Sequence, residues 1–292
     1  MFTGSIVAIV TPMKANGDVD YSSLEKLVAW HLSNDTDGIV VLGTTGESAT
    51  IIEAEKIKII QSVIDQVNEK IPVIVGSGTN ATHHTIELTR QAMELGADAA
   101  LIVTPYYNKP TQAGLFQHFS AIAKAVPIPQ ILYNVPSRTG CDLLPETIIK
   151  LGKFANIVAV KEATGEVNRV KELLAADCEI DLLSGDDKTA LEFMCAGGKG
   201  VISVVANIVP KAFHALCTAA IHGDRTTAEE CEKKLKLLYS ELFVESNPIP
   251  VKWALAKMGM IAEGIRLPLT PLAKQFHQRV LHAMQSAGIP VE

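Results

Sequence analysis

The sequence predicts a (β/α)8 barrel followed by a helical appendage, and three observations carry that reading. Eight short apolar runs alternate with helical segments over roughly the first 220 residues, which is the size and grammar of such a barrel. Most runs are continuous in hydrophobicity rather than alternating, as strands covered on both faces are. Beyond residue 224 the strand signals stop and helical patterns take over. The expected division is a catalytic barrel over residues 1–224 and a helical domain over 225–292.

The strand-like runs occupy residues 5–11, 38–43, 72–76, 97–104, 129–133, 157–161, 179–184 and 200–205. Ser22-Ser23-Leu24-Glu25 and Thr50-Ile51-Ile52-Glu53 have the spacing of capping boxes and predict the starts of the first two helices. Leu115, Phe116, Phe119 and Ile122 recur at helical spacing after the fourth run. Leu95-Gly96 and Ala196-Gly197-Gly198 predict helix ends that feed the next strand. A doubly wound open sheet would need a Gly-rich first turn. The first turn here is Thr11-Pro12-Met13-Lys14, without G-x-G-x-x-G. Residues 226–243, 250–259 and 270–286 predict three closing helices, the second after the turn-like Ser246-Asn247-Pro248.

Composition narrows the function class. Of 292 residues 48% are apolar and 20% charged, enough for a sizeable core. A net charge of −6 disfavours nucleic acid or an anionic membrane as partner. The five cysteines (Cys141, Cys178, Cys195, Cys217 and Cys231) are irregularly spaced and odd in number, which suits a reduced compartment. No basic stretch followed by a long apolar region opens the chain, and no apolar stretch reaches membrane-spanning length. A soluble, cytoplasmic protein is expected.

The chemistry-bearing residues collect where strands of a barrel end, which is where barrel active sites lie. Asn156-Ile157-Val158-Ala159-Val160-Lys161 ends an apolar run in a lysine. An amine held out of water favours its neutral, nucleophilic form and forms Schiff bases with carbonyl compounds; the alternative is a strand-end lysine reaching solvent or pairing with Glu162. Gly43-Thr44-Thr45-Gly46-Glu47-Ser48 follows the second run. It is either a tight turn or a nest of N–H groups and hydroxyls for a carboxylate at a helix N-terminus. Tyr133 either packs or relays protons to a neighbouring amine. Arg138, in a loop bounded by Pro136 and Gly140, is either a solvated charge or a bidentate carboxylate anchor. Tyr106-Tyr107 leaves both readings open. Asp186-Asp187 fits a helix N-cap better than a metal site, and the eight histidines show no H-x-x-x-H or H-E-x-x-H spacing, so no metal is expected.

Taken together, these residues resemble the dihydrodipicolinate synthase family of pyruvate-dependent class I aldolases. The resemblance runs from Met1-Phe2-Thr3-Gly4-Ser5-Ile6-Val7 through Asn247-Pro248-Ile249-Pro250-Val251-Lys252 and into the last helix. Residues 43–48, 104–108 and 133–140 with Lys161-Glu162-Ala163-Thr164 are specific in combination. It implies that Lys161 forms an imine with pyruvate, whose enamine attacks L-aspartate 4-semialdehyde in diaminopimelate and lysine biosynthesis. It further implies that Tyr133 moves protons together with Thr44 and with Tyr107 of a neighbouring subunit. Thr45 would hold the pyruvate carboxylate, Gly185 and Ile202 would line the pocket, and Arg138 would bind the second carboxylate. No cofactor is implied, and the assembly implied is a homotetramer, a dimer of dimers.

Lysine-inhibited members of that family carry an interface pocket around Ser48, Ala49, Asn80 and Tyr106. They typically have His, His and Glu at the positions of Glu53, Lys56 and His84. Losing the acid at position 84 and gaining a lysine at position 56 disfavour a cationic amino acid there, so weak or absent feedback inhibition is expected. Three rival readings remain beside the synthase. A sister aldolase, acting on N-acetylneuraminate or a 2-keto-3-deoxy sugar acid, would share Lys161 and Tyr133. A pyridoxal-phosphate barrel would use Lys161 but lacks a convincing phosphate loop, and a keto-acid sensor would not need the full set of catalytic side chains.

Overall fold

The computed structural model describes residues 2–176 and 179–291, so Met1, Asp177, Cys178 and Glu292 lie outside the described residues. Among the described residues, eight parallel strands follow one another in sequence order around a closed barrel. They are β1 (Gly4–Ala8), β2 (Gly38–Val41), β3 (Val73–Gly76), β4 (Ala99–Val103), β5 (Gln130–Asn134), β6 (Ile157–Glu162), β7 (Asp181–Ser184) and β8 (Gly200–Ser203). Closure pairs Gly4 with Gly200 and Val7 with Ser203. At that seam a side chain on Gly200 would sit 2.4 Å from the Gly4 carbonyl oxygen, so only glycine lets the two strands meet.

Side-chain alternation divides the core in two. Ile6, Ala8, Val40, Ile74, Leu101, Ile131, Tyr133, Ala159, Leu183 and Ile202 fill the barrel interior. Their neighbours, such as Val7, Ile39, Val41, Leu132 and Val160, face the surrounding helices. Burial on both faces explains why the strands read as continuous apolar runs. Each fully buried Ile, Leu or Val contributes about 1.5–3 kcal/mol from removed apolar surface.

Strands fall where the apolar runs predict, most with shorter ends, whereas β5 and β6 each run one residue further. Both predicted capping boxes fail. The first helix is Tyr21–Leu32, and Asp20 caps it by accepting from Ser23 N at 3.2 Å. The second begins only at Glu53, where Glu55 reaches back to accept from Ile52 N at 3.2 Å. Thr50 instead donates its hydroxyl to the Glu47 carbonyl, so it stabilises the preceding loop. The closing helices are Arg225–Glu241, Ile249–Lys257 and Lys274–Ser286. The last starts four residues later than predicted, because an irregular stretch containing Pro271 follows the turn at 267–268 and precedes it. Their buried residues, including Leu235, Leu238, Trp253 and Val280, belong to one apolar cluster with Val7, Ile39 and Val201 of the strands.

Among the described residues no helix is long and apolar enough to cross a membrane. Cys141, Cys195, Cys217 and Cys231 are free thiols.

His31, on the first helix, is fully buried with Nδ1 against the Thr36 hydroxyl at 2.9 Å. Desolvation pushes its pKa down from 6.5 to about 3. As pH falls through 6.5 the unfolded chain gains a proton there and the folded chain does not. Folding stability therefore declines with falling pH, at up to about 1.4 kcal/mol per unit from this group, until about pH 3. His118, pushed down to about 4 by burial, acts in the same direction. Asp187, raised to about 6, acts in the opposite one. His31→Gln is expected to flatten stability against pH between 6.5 and 5 in urea titrations; a slope matching the native chain's would refute this.

Candidate active site

A cavity of about 230 Å³ opens at the C-terminal ends of the strands. Thr44, Thr45, Tyr133, Arg138, Lys161 and Gly185 line it, so six of the eight residues expected for catalysis and substrate binding come together.

Lys161 and Tyr133 are brought side by side by sheet register, because β5 and β6 pair them directly. Lys161 Nζ lies 4.3 Å from the centroid of the Tyr133 ring. Lys161 is 6% exposed, and among the described residues it forms no ion pair. Its amine lies over a phenol ring and is not held by a carboxylate among the described residues. Gly185, just past β7, makes room for it: a side chain there would lie 2.9 Å from Lys161 Cε and 2.6 Å from Ala163 Cβ.

The neighbouring residue on β6 faces the other way. Glu162 is buried and accepts from Asn134 Nδ2 at 3.1 Å and from Thr164 N at 2.9 Å. Burial pushes its carboxyl up, against the pull of these bonds and of Arg169. Arg169 in turn makes a two-point bond to Asp142, at 3.0 and 2.5 Å. Asn134 also donates to Asp142 at 2.7 Å. This polar network ties the ends of β5 and β6 together directly behind the Lys161–Tyr133 pair.

Residues 43–48 form a run of tight turns, with Gly46 N donating to Gly43 O and Glu47 N to Thr44 O, both at 3.1 Å. Because the following helix starts at Glu53, the loop matches the tight-turn alternative and does not sit at a helix N-terminus. A carboxylate here would meet loop N–H groups and the Thr44 and Thr45 hydroxyls. The loop is fixed from below by Glu47, a non-glycine residue at φ 56° that is buried and paired with the equally buried Lys252. Glu47 also accepts from Arg266 N at 3.2 Å, and Arg266 makes a two-point bond to Glu55. Desolvation pushes the Lys252 pKa down, opposed by Glu47.

Arg138 sits on a single helical turn, Pro136–Thr139, closed by Gly140 at φ 74°. Its Nη2 donates to the Asn247 carbonyl at 3.4 Å, which holds the guanidinium over the cavity mouth.

Two expected residues lie elsewhere. Ile202 is 1% exposed within the barrel interior and is not among the cavity-lining residues. Tyr107 is 89% exposed at φ 74°, pointing into solvent away from the cavity. The residues of the expected regulatory pocket are spread over neighbouring surface elements. Lys56 pairs with Glu53 at 3.9 Å, His84 with Glu87 at 3.4 Å, and Asn80 O accepts from Asn108 at 2.8 Å. Ser48 is half-buried, while Ala49 and Tyr106 are exposed.

The cavity also contains Phe243 and Asn247, which sequence reasoning missed, and Asp186, which it read as a helix N-cap. Phe243 and Asn247 come from the segment after the barrel, where no strand-end rule points to them. Asp187 turns away from the cavity and accepts from Val204 N and Val205 N at 3.0 and 3.1 Å, joining the ends of β7 and β8. Asp186 does cap the short turn at Asp187–Thr189, accepting from Thr189 N at 3.1 Å.

Comparison with known proteins places this site in context. Residues 1–287 match the model of the Dihydrodipicolinate synthetase family. The chain is 66% identical over 289 residues to a 4-hydroxy-tetrahydrodipicolinate synthase of Coxiella burnetii, covering 99% of both chains. It is 56% identical over 292 residues to the protein of that description from Pseudomonas syringae, covering 100% of both. It superposes with a TM-score of 0.98 and 53% identity on the chloride-inhibited dihydrodipicolinate synthase from Acinetobacter baumannii complexed with pyruvate, covering 99% of this chain and 100% of that one.

Proposed function

The chain belongs to the dihydrodipicolinate synthetase family, and we propose how its cavity divides the condensation of pyruvate with L-aspartate 4-semialdehyde among its residues. The observation that carries the assignment is the buried, unpaired Lys161 amine beside the Tyr133 ring in a cavity that also holds two threonines and an arginine.

Lys161 Nζ attacks the keto carbon of pyruvate, and loss of water leaves an iminium. The iminium withdraws electrons from the adjacent methyl, which gives up a proton to become an enamine carbon. That carbon attacks the aldehyde of the semialdehyde, whose oxygen is protonated to a hydroxyl. The amino group of the same substrate then attacks the iminium carbon, closing the ring and expelling the Lys161 amine unchanged. Tyr133, whose ring lies 4.3 Å from the amine, carries protons together with Thr44 of the same cavity. Thr45 and the loop N–H groups take the pyruvate carboxylate. Arg138, at the mouth, presents a planar fork suited to the second carboxylate. Gly185 shapes the floor, while Ile202 packs in the barrel interior without lining the cavity.

The outward-facing Tyr107 is assigned to the cavity of a second copy, which makes the active unit at least a dimer; a homotetramer built as a dimer of dimers is the assembly we assign. The barrel of residues 1–224 carries the chemistry and residues 225–292 brace it. Free thiols at the described cysteines support a cytoplasmic setting.

Sodium borohydride with pyruvate, followed by peptide mass mapping, tests the central step. A pyruvate-dependent adduct on the Lys161 peptide is expected. Its absence from folded protein would remove the Schiff base from the mechanism.

Regulation follows from the surface around Lys56. The Lys56 ammonium already occupies Glu53, and His84 already faces Glu87, so a cationic amino acid finds no free acid among these groups. Weak or absent inhibition by lysine is expected in a steady-state assay. Half-inhibition at sub-millimolar lysine would refute it.

A further inference from the structure

We propose that Asn247 is a positioning residue for pyruvate: it fixes the Thr45 hydroxyl as a hydrogen-bond donor to the substrate carboxylate. The proposal rests on the reading of the cavity as a pyruvate site and adds a residue and a polarity to it.

The argument begins with what a hydroxyl can do. Thr45 Oγ1 has one proton to give and lone pairs to receive. Thr45 is 2% exposed, so its hydroxyl is oriented chiefly by the groups around it. Asn247 Nδ2 lies 3.0 Å from Thr45 Oγ1 and donates to it, across 202 residues of sequence. With an acceptor site of the oxygen filled by that donor, the hydroxyl proton is turned elsewhere. Among the described residues no other hydrogen bond engages this hydroxyl, and both Thr45 and Asn247 line the cavity. The proton is therefore available to a ligand oxygen. A carboxylate is the chemical class that accepts it best, because a hydrogen bond to an ionised acceptor is the stronger kind.

The amide orientation is fixed by the same accounting. Asn247 is 6% exposed, and its Oδ1 is buried without a partner. Turning the amide over would direct both N–H bonds of Nδ2 into that unpartnered position. One under-satisfied oxygen is the smaller cost, since buried orphaned N–H groups are rarer than under-satisfied carbonyls. The Asn247 backbone carbonyl also receives Arg138 Nη2. One residue from the segment after the barrel thus touches both side chains assigned to substrate carboxylates.

Asn247→Leu keeps the volume and the backbone carbonyl while removing the donor. In that variant the Thr45 proton is free to rotate away from the substrate. The Michaelis constant for pyruvate is expected to rise about tenfold, the usual scale for a hydrogen bond to a charged group. Turnover at saturating pyruvate should change far less. A general loss of structure would instead lower turnover and melting temperature together.

The deciding measurement is a double-mutant cycle with Thr45→Val, read as pyruvate half-saturation of borohydride trapping on Lys161. If Asn247 acts through the Thr45 hydroxyl, Asn247→Leu adds little once the hydroxyl is gone. Additive effects of the two substitutions would overturn the proposal. Should Asn247→Leu not fold, Asn247→Met replaces it; it removes the N–H donor without adding charge, and the same non-additivity is expected. Absence of any pyruvate-dependent adduct in the native chain would instead overturn the reading of the cavity. The two failures are therefore distinguishable.

Discussion

Lys161→Met is expected to lower turnover by roughly 10^4-fold or more, on the scale seen when a covalent nucleophile is removed from an enzyme. Methionine matches the lysine stem in length and tolerates a buried site, so the barrel should fold as before. Nothing in the native packing resists the exchange, because the amine has no ion-pair partner that would be left alone. Pyruvate should still dock on the threonines and loop N–H groups, since the substitution removes the nucleophile and leaves the carboxylate site. The expected pattern is thus a chain with native melting temperature, measurable pyruvate protection against thermal unfolding, no borohydride adduct and negligible turnover. Turnover within tenfold of native would mean that the amine is not the covalent centre.

Lys252→Met is expected to have the largest effect on stability. Glu47 would be left charged and buried, and removing one partner of a buried ion pair costs about 3–5 kcal/mol. Arg266 N would remain as a hydrogen-bond donor to Glu47, which softens the loss without neutralising the charge. The double variant Glu47→Gln with Lys252→Met removes both charges while keeping an acceptor for Arg266. It should recover most of the stability, because an apolar replacement of a whole buried pair is often close to neutral. Urea equilibrium unfolding of the three chains checks this. A single variant as stable as the native chain would show that the pair contributes nothing. Activity gives a second readout: a displaced Glu47 shifts the turns that carry Thr44 and Thr45, so the single variant should also bind pyruvate less tightly.

The two predictions draw on features that differ in how far the sequence revealed them. The barrel was legible because parallel strands buried on both faces leave continuous apolar runs, and Lys161 was legible because it interrupts one of them. Helix starts were less so. Ser22 and Thr50 fit a capping spacing, yet Asp20 and Glu55 take those roles, since several side chains near a helix start can accept the same N–H bonds. Ile202, which the resemblance places in the pocket, shares the barrel interior with Tyr133, Val40 and Leu101, yet those three reach the cavity lining and it does not.

Asn247, Phe243, Lys252 and Arg266 were invisible to local reasoning. Each acts across about 200 residues or occupies a cavity assembled from distant segments, and no spacing rule links an asparagine after the barrel to a threonine on the second loop. The Glu162–Asn134–Asp142–Arg169 network was missed for a related reason. Its members follow strand ends one by one, and only sheet register shows that they meet behind the catalytic pair.

The bonds from Asn247 to Thr45 and from Lys252 to Glu47 also set an order of events on the ribosome. Synthesis delivers the loop that receives the pyruvate carboxylate within the first fifty residues, while its two fasteners emerge roughly 200 residues later, and such distant pairings form slowly. The strand carrying Lys161 is available well before them. A nascent chain therefore possesses its nucleophile long before it possesses a formed carboxylate site. Reactive amine and substrate pocket become one catalyst only once the segment after the barrel has folded back onto the second loop.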